Sequence, residues 1–171
     1  VAGSGKSTTL ACLPDRINAA RACRILTIED PIAYLHVGKE VTIDQRELFA
    51  DTQILGAALK YILRQDPDVI PVGEMRGLET VSSVITAAET GHLVLATLHS
   101  NDAVQAIDRI VGSLPCTPAG PGPPQVVSSL VGVVSQRLLA SHDGTGRVPV
   151  FEVMVATAAI RTLVREKRCI R

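Results

Sequence analysis

The chain opens VAGSGKSTTL, and no other stretch constrains its fold as strongly. A glycine-rich run closing in Gly-Lys-Ser is the end of the pattern G-x-x-x-x-G-K-[ST], a loop that cradles phosphate. Gly5, Lys6 and Ser7 supply that end, with Gly3 and Ser4 before it and Thr8 after it. The first glycine of the pattern is expected immediately before Val1. The residue types suit the chemistry. Gly3 and Gly5 let backbone N–H groups converge on phosphate oxygens. Lys6 brings a positive charge to the outer phosphates, the Ser7 hydroxyl can bind Mg²⁺, and a helix starting here offers its positive end. The competing reading is a flexible Gly-Ser turn. The rest of the chain decides between them.

Apolar runs and helical stripes alternate along it. A helix is expected from Lys6 through Leu13, ended by Pro14. Arg24 to Ile28 reads as a buried strand that stops at Glu29-Asp30-Pro31. Glu47 to Arg64 carries an apolar stripe at helical spacing. Asp68 to Gly73 is a second strand, with Pro71 an awkward member. Leu78 to Glu89 is a helix, Leu93 to Leu98 a third strand, and Asp102 to Ser113 a helix capped by Asn101 or Asp102. LPCTPAGPGPP, residues 114–124, is a loop. Gln125 to Leu139 is expected as a helix, 141–146 as a turn, Arg147 to Val155 as a strand and Ala158 to Lys167 as a helix. Strands alternating with helices predict an α/β fold, a mainly parallel sheet flanked by helices.

In such sheets ligands sit beyond the carboxyl ends of the strands. Three strands end there in polar residues: Glu29, Glu74 and His99. Glu74, after an apolar strand, has the form of an acid that holds Mg²⁺ directly or through water. Glu29 could orient or deprotonate an attacking water, and His99 could sense a terminal phosphate. Each alone could be a helix cap or a surface charge. All three together with the phosphate loop make the flexible-turn reading poor.

Composition removes other classes. Seventeen basic and seventeen acidic residues cancel, so no global charge favours nucleic acid or an acidic membrane surface. Two Phe, two Tyr and no Trp leave little for base stacking. No apolar run approaches the roughly 20 residues of a membrane span. Cys12, Cys23, Cys116 and Cys169 form no CxxC pair, which argues against zinc and for small buried hydrophobes in a reducing compartment.

Four segments together resemble the secretion ATPases of type IV pili and type II secretion, RecA-like P-loop NTPases. AGSGKSTTL (2–10) is similar to their Walker A, LTIEDPI (26–32) to their aspartate box, DPDVIPVGEMRGLET (66–80) to their Walker B segment and AAETGHLVLATLHSNDA (87–103) to their histidine box. The pilus-retraction branch is the nearest in pattern. The stretch after the histidine box has no four-cysteine module, and AIRTLVRE (159–166) resembles that branch's AIRNLIRE.

The resemblance implies roles. Gly3 to Thr8 would bind ATP, with Lys6 on the phosphates and Ser7 and Glu74 serving Mg²⁺. Glu29 would be the catalytic glutamate, with Glu74 and His99 completing the site and His92 a nucleotide sensor. Arg46, Arg64 and Arg76 are candidates for γ-phosphate or subunit contacts; the alternative for each is a surface salt bridge. The resemblance further implies a homo-hexamer that works in the cytoplasm against an inner-membrane pilus platform protein, with no nucleic acid and no membrane span of its own. Residues 1–171 would be its C-terminal ATPase domain, a fragment whose N-terminal PAS-like domain and leading strand lie outside. Departures are Gly77 where Asp is usual, Pro71 where an aliphatic is usual, Thr162 for Asn, Lys167 for Gly, and the proline-rich 114–124 segment. The alternatives are a pilus-extension, type II secretion or DNA-transfer ATPase, or a nucleotide-binding scaffold that does not hydrolyse.

Overall fold

The computed structural model describes residues 3–38, 42–51, 54–114 and 123–166. The chain forms two compact units. One spans Ser7–Leu98; the other joins His99 onward to the first six residues.

The Ser7–Leu98 unit holds β1 (Arg24–Glu29), β2 (Thr42–Glu47), β3 (Val69–Glu74) and β4 (Leu93–Thr97) in a sheet of order β2-β1-β3-β4. Every pairing is parallel. The central strands RILTIE and VIPVGE are apolar almost throughout because both their faces are buried. Leu26, Ile28, Ile70 and Val72 project to one face. There they meet Ala58, Leu59 and Ile62 of α2 (Leu55–Ile62) and Ala87 of α3 (Leu78–Glu89). Each large aliphatic so buried contributes roughly 1.5–3 kcal/mol. On the opposite face Ile25, Thr27, Val69 and Pro71 are buried too.

Several elements depart from expectation. α1 runs Lys6–Ala20, with Pro14 inside it. The ring removes one helical hydrogen bond, at a cost of about 3 kcal/mol. Burial of Pro14 and Asn18 offsets it, and Asn18 Nδ2 donates to the Val37 carbonyl at 2.9 Å. Glu47 does not begin a helix; it ends β2. Phe49 follows at φ 70°, a left-handed turn that breaks any helical path before α2. Pro71 is accommodated in a central strand. β3 stays in register with β4 through Pro71–Leu95, while its pairing with β1 falls at Ile25–Val69 and Ile28–Val72, leaving the residue without an N–H out of that ladder. Cys12 is exposed rather than buried, and Cys23 is half-buried.

The second unit contains α4 (Ala103–Gly112), α5 (Pro123–Ser129), β5 (Gly132–Ala140), β6 (Arg147–Val155) and α6 (Ala158–Glu166). The expected helix over 125–139 is in fact short α5 followed by β5, which pairs antiparallel with β6. Gly132 lies so close to β6 that a Cβ there would stand 2.8 Å from the Met154 carbonyl oxygen. Arg161 of α6 ties the junction of α5 and β5. Its guanidinium donates to the carbonyls of Val127, Ser128, Leu130 and Ala156 at 2.6–2.9 Å. Asp102 caps α4, its Oδ1 accepting from the Gln105 N–H at 2.7 Å. The proline-rich stretch 115–122, Cys116, Lys167 and Cys169 lie outside the described residues.

Candidate functional site

The sheet of the Ser7–Leu98 unit gathers three carboxylates at one edge, those of Glu29, Glu47 and Glu74 at the ends of β1, β2 and β3. All its strands are parallel, so β1 and β3 both end there, in Glu29 and Glu74. A β-bulge between Val72 and Glu74 lets Gly73 sit against β1. A Cβ on Gly73 would stand 3.5 Å from the Ile28 carbonyl oxygen and 3.6 Å from the Glu29 α-carbon. The bulge is closed on its other side by Thr97, whose hydroxyl donates to the Gly73 carbonyl at 3.0 Å.

Glu29 is half-buried and held by three donors. The Thr27 hydroxyl reaches Oε1 at 2.9 Å, the Gln45 amide reaches Oε1 at 3.2 Å, and the Ala33 N–H reaches Oε2 at 3.3 Å. Glu74 pairs with Arg76 at 2.8 Å. The hydrogen bond to Glu74, and then its charge, raises the Arg76 pKa above its ordinary value. Gly77, where an acid is usual in the resemblance, is the N-cap of α3 at φ 84°. Glycine holds that geometry without strain, and Glu74 supplies the partner for Arg76 that an acid at 77 would have offered.

The loop after Glu29 is anchored residue by residue. Gln45 Nε2 donates to the Tyr34 carbonyl at 2.9 Å, and its Oε1 accepts from the His36 N–H at 2.8 Å. Glu47 accepts from the Ile32 N–H at 3.0 Å. The Tyr34 hydroxyl meets the Thr8 hydroxyl at 3.0 Å, next to Ser7 in the first turn of α1. Ser7 and Thr8 are both exposed. Sequence reasoning missed Gln45 because it missed β2. TIDQRE has no hydrophobic alternation that would have signalled it.

Three candidates are placed elsewhere. Arg64 is exposed in the 3-10 turn Leu63–Gln65 that leads into β3, at the opposite edge of the sheet from the carboxylates. Arg46 on β2 donates to the Gln65 side chain at 3.1 Å. His92 precedes β4 at that same opposite edge, its Nδ1 within 3.2 Å of the Ala87 carbonyl and 3.1 Å of the Thr90 hydroxyl. There it closes the end of α3.

In the other unit Gly3 and Gly5 adopt φ 71° and 84°, the left-handed region that glycine alone enters freely. Ser4 is buried. A Cβ on Gly5 would stand 2.8 Å from Gln136 Nε2, so the Gln136 amide packs directly against the turn. His99 is half-buried, and its carbonyl accepts from Arg109 at 2.8 Å. Asn101, two residues on, accepts through its carbonyl from Ser135 and Arg137 at 3.3 and 3.2 Å. Among the described residues no cluster of His, Cys, Asp and Glu is built to hold a metal by itself. A Mg²⁺ here would therefore depend on phosphate oxygens and water as well as protein, as is usual for this ion.

Parallel strands ending in carboxylates at one edge, and a left-handed glycine loop opening a helix, define a RecA-like P-loop α/β fold. The chain matches the Type II/IV secretion system protein family over residues 1–170 and belongs to it. It is 49% identical to the twitching motility protein of Neisseria gonorrhoeae, over 97% of this chain and 44% of that protein. It is 48% identical to the type IV pilus retraction ATPase PilT of Pseudomonas aeruginosa, over 97% of this chain and 48% of the relative. The crystal structure of the pilus retraction motor PilT with bound ADP matches with a TM-score of 0.90 at 48% identity, covering 97% of this chain and 48% of that one. The chain thus spans about half the length of the relatives it matches.

Proposed function

We propose that this chain is the ATP-hydrolysing part of a pilus-retraction motor. The observation that carries the reading is the edge where Glu29, held by three donors, lies on the strand next to Glu74. The reaction is phosphoryl transfer to water, in which positioning and charge stabilisation do the catalysis and no covalent intermediate forms. Gly3 to Thr8 bind the phosphates through backbone N–H groups, the Lys6 ammonium and the first turn of α1. Ser7 and Glu74 serve Mg²⁺, which when bound neutralises phosphate charge. Glu29 orients the water and accepts its proton, a role open to a carboxylate whose rotamer is fixed. His99 follows β4 and responds to the state of the phosphates. Arg76 is poised beside Glu74. Arg46, Arg64 and His92 serve the rest of the domain or a neighbouring subunit.

The family resemblance supports a homo-hexamer in the cytoplasm, at the inner face of the membrane and on a pilus platform protein, and the relatives named for twitching motility and pilus retraction support a pilus as the load. The same resemblance supports a reading of residues 1–171 as the C-terminal domain of a chain with a PAS-like domain before it. No helix among the described residues is long and apolar enough to cross a membrane.

The test is phosphate release from Mg-ATP by the full-length protein and its Glu29→Gln form. Release that vanishes in the variant while ATP still binds supports the reading. Release at the unaltered rate in the variant removes Glu29 from its role. No release from either form, with ATP bound, points to a nucleotide-binding scaffold.

A further inference from the structure

We propose that Gln45 is a positioning residue for hydrolysis, the amide that registers the Glu29 carboxylate against the helix opening at the phosphate loop. The inference rests on the role given above to Glu29.

The side chain of Gln45 spends both its ends. Nε2 divides between Glu29 Oε1 at 3.2 Å and the Tyr34 carbonyl at 2.9 Å; Oε1 takes the His36 N–H at 2.8 Å. One planar group therefore fixes a carboxylate oxygen and two points of the loop beyond it. Tyr34 carries the link on, since its hydroxyl meets Thr8 at 3.0 Å in the first turn of α1. The route from the helix to the carboxylate is Thr8, Tyr34, Gln45, Glu29. Every member lies in the Ser7–Leu98 unit.

β2 makes this possible. Gln45 pairs in register with Thr27 of β1, and Thr27 is the other side chain that donates to Glu29 Oε1. The two donors thus reach one oxygen from neighbouring strands, while the Ala33 N–H takes the other oxygen. A carboxylate bound on both oxygens is held in a single rotamer. Without Gln45 the Glu29 side chain keeps Thr27 and Ala33, but the loop carrying Ala33 loses two of its ties. The loss should fall on the orientation of the carboxylate and leave phosphate binding alone, because the hydrogen bonds of the Gln45 side chain go to Glu29, Tyr34 and His36.

Gln45→Leu and Gln45→Glu are the variants. The second keeps the shape and the acceptor for His36 but gives up the donor to Glu29 and Tyr34. Both are made in the full-length protein, beside Glu29→Gln, and kcat and KM for Mg-ATP are measured with the affinity for a fluorescent ADP analogue. Removal of an orienting partner of a catalytic group typically costs 10–100-fold. The expected result is a kcat lowered by roughly that factor in both variants, with KM and ADP affinity within about threefold of wild type. If Gln45→Leu does not fold, the isosteric Gln45→Glu carries the test alone. A kcat unchanged in Gln45→Glu overturns the proposal. So does a parallel fall in ADP affinity, which would make Gln45 a prop for the whole site. If Glu29→Gln hydrolyses ATP normally, the underlying reading of Glu29 fails; if Glu29→Gln is dead and the Gln45 variants are normal, only the positioning role fails. Adding Tyr34→Phe separates a relay from a local contact. A relay predicts that the double variant is no slower than the worse single one, and independent multiplication of the two losses counts against it.

Discussion

Arg76 and Glu74 stand two residues apart in the chain and face each other at 2.8 Å, the arginine side chain 76% exposed and the glutamate 22%. The pair occupies the carboxylate that Mg²⁺ would draw on. Arg76→Gln should remove this competing charge and lower the Mg²⁺ concentration that gives half-maximal phosphate release. Thermal stability should not change, because an ion pair with so exposed a member is screened by water. A Mg²⁺ titration of both forms checks this; an unmoved midpoint means that the pair does not compete with the metal.

Gly5→Ala should weaken nucleotide binding more than Gly3→Ala. Both positions are left-handed, and a side chain there costs about 1–2 kcal/mol. Only Gly5 has a neighbour in the way, the Gln136 amide 2.8 Å from the added carbon, whereas nothing lies within 4 Å at Gly3. Calorimetric titration with ADP ranks the two. Restoring part of the difference with Gln136→Ala would assign it to that contact, and equal losses at the two glycines would dismiss it.

Arg161→Lys should destabilise the protein almost as much as Arg161→Ala. Four carbonyls converge on one planar group. A lysine ammonium cannot spread over all four. Leaving carbonyls without a partner costs about 1–3 kcal/mol. Thermal melts of the two variants decide; full rescue by lysine would show that charge alone matters at this position.

Asp143, in the turn between β5 and β6, has a carboxyl pKa lowered to about 2, first by the Ser141 hydroxyl and then by Thr145. A folded-state value below the unfolded one stabilises the turn above the unfolded pKa, about 4. That contribution fades as pH falls from there through about 2. The Asp143 carboxyl resonance should titrate at the low value in the wild type and move up in Ser141→Ala. A wild-type midpoint near the ordinary 3.8 would refute the assignment.

The parallel sheet was legible because RILTI, DVIPV and LVLAT are apolar on both faces, and only a doubly covered strand needs that. Glu29 and Glu74 followed from the same logic, since parallel strands must end at one edge. β2 was not legible. Its TIDQRE is polar on both sides because its residues serve the loop and its neighbours through hydrogen bonds, and such a strand carries no hydrophobic period. β5 was read as helix because VVSQRLL also fits a helical stripe; its close approach to β6 at Gly132 is a tertiary fact. α1 outran Pro14 because burial overrode local propensity. The departures at Pro71 and Gly77 each have a backbone that suits the residue.

The sheet also separates two populations of residues by the length of a strand, about 20 Å for six residues. The far edge, with Arg64, Asp66 and His92, is held by its own short contacts, such as the Arg24 N–H donating to Asp68 at 2.7 Å and His92 to Ala87. A fluorophore or spin label at exposed Arg64 would therefore sit on a rigid lever remote from the carboxylates. It would give single-molecule work a fixed reference point on this domain.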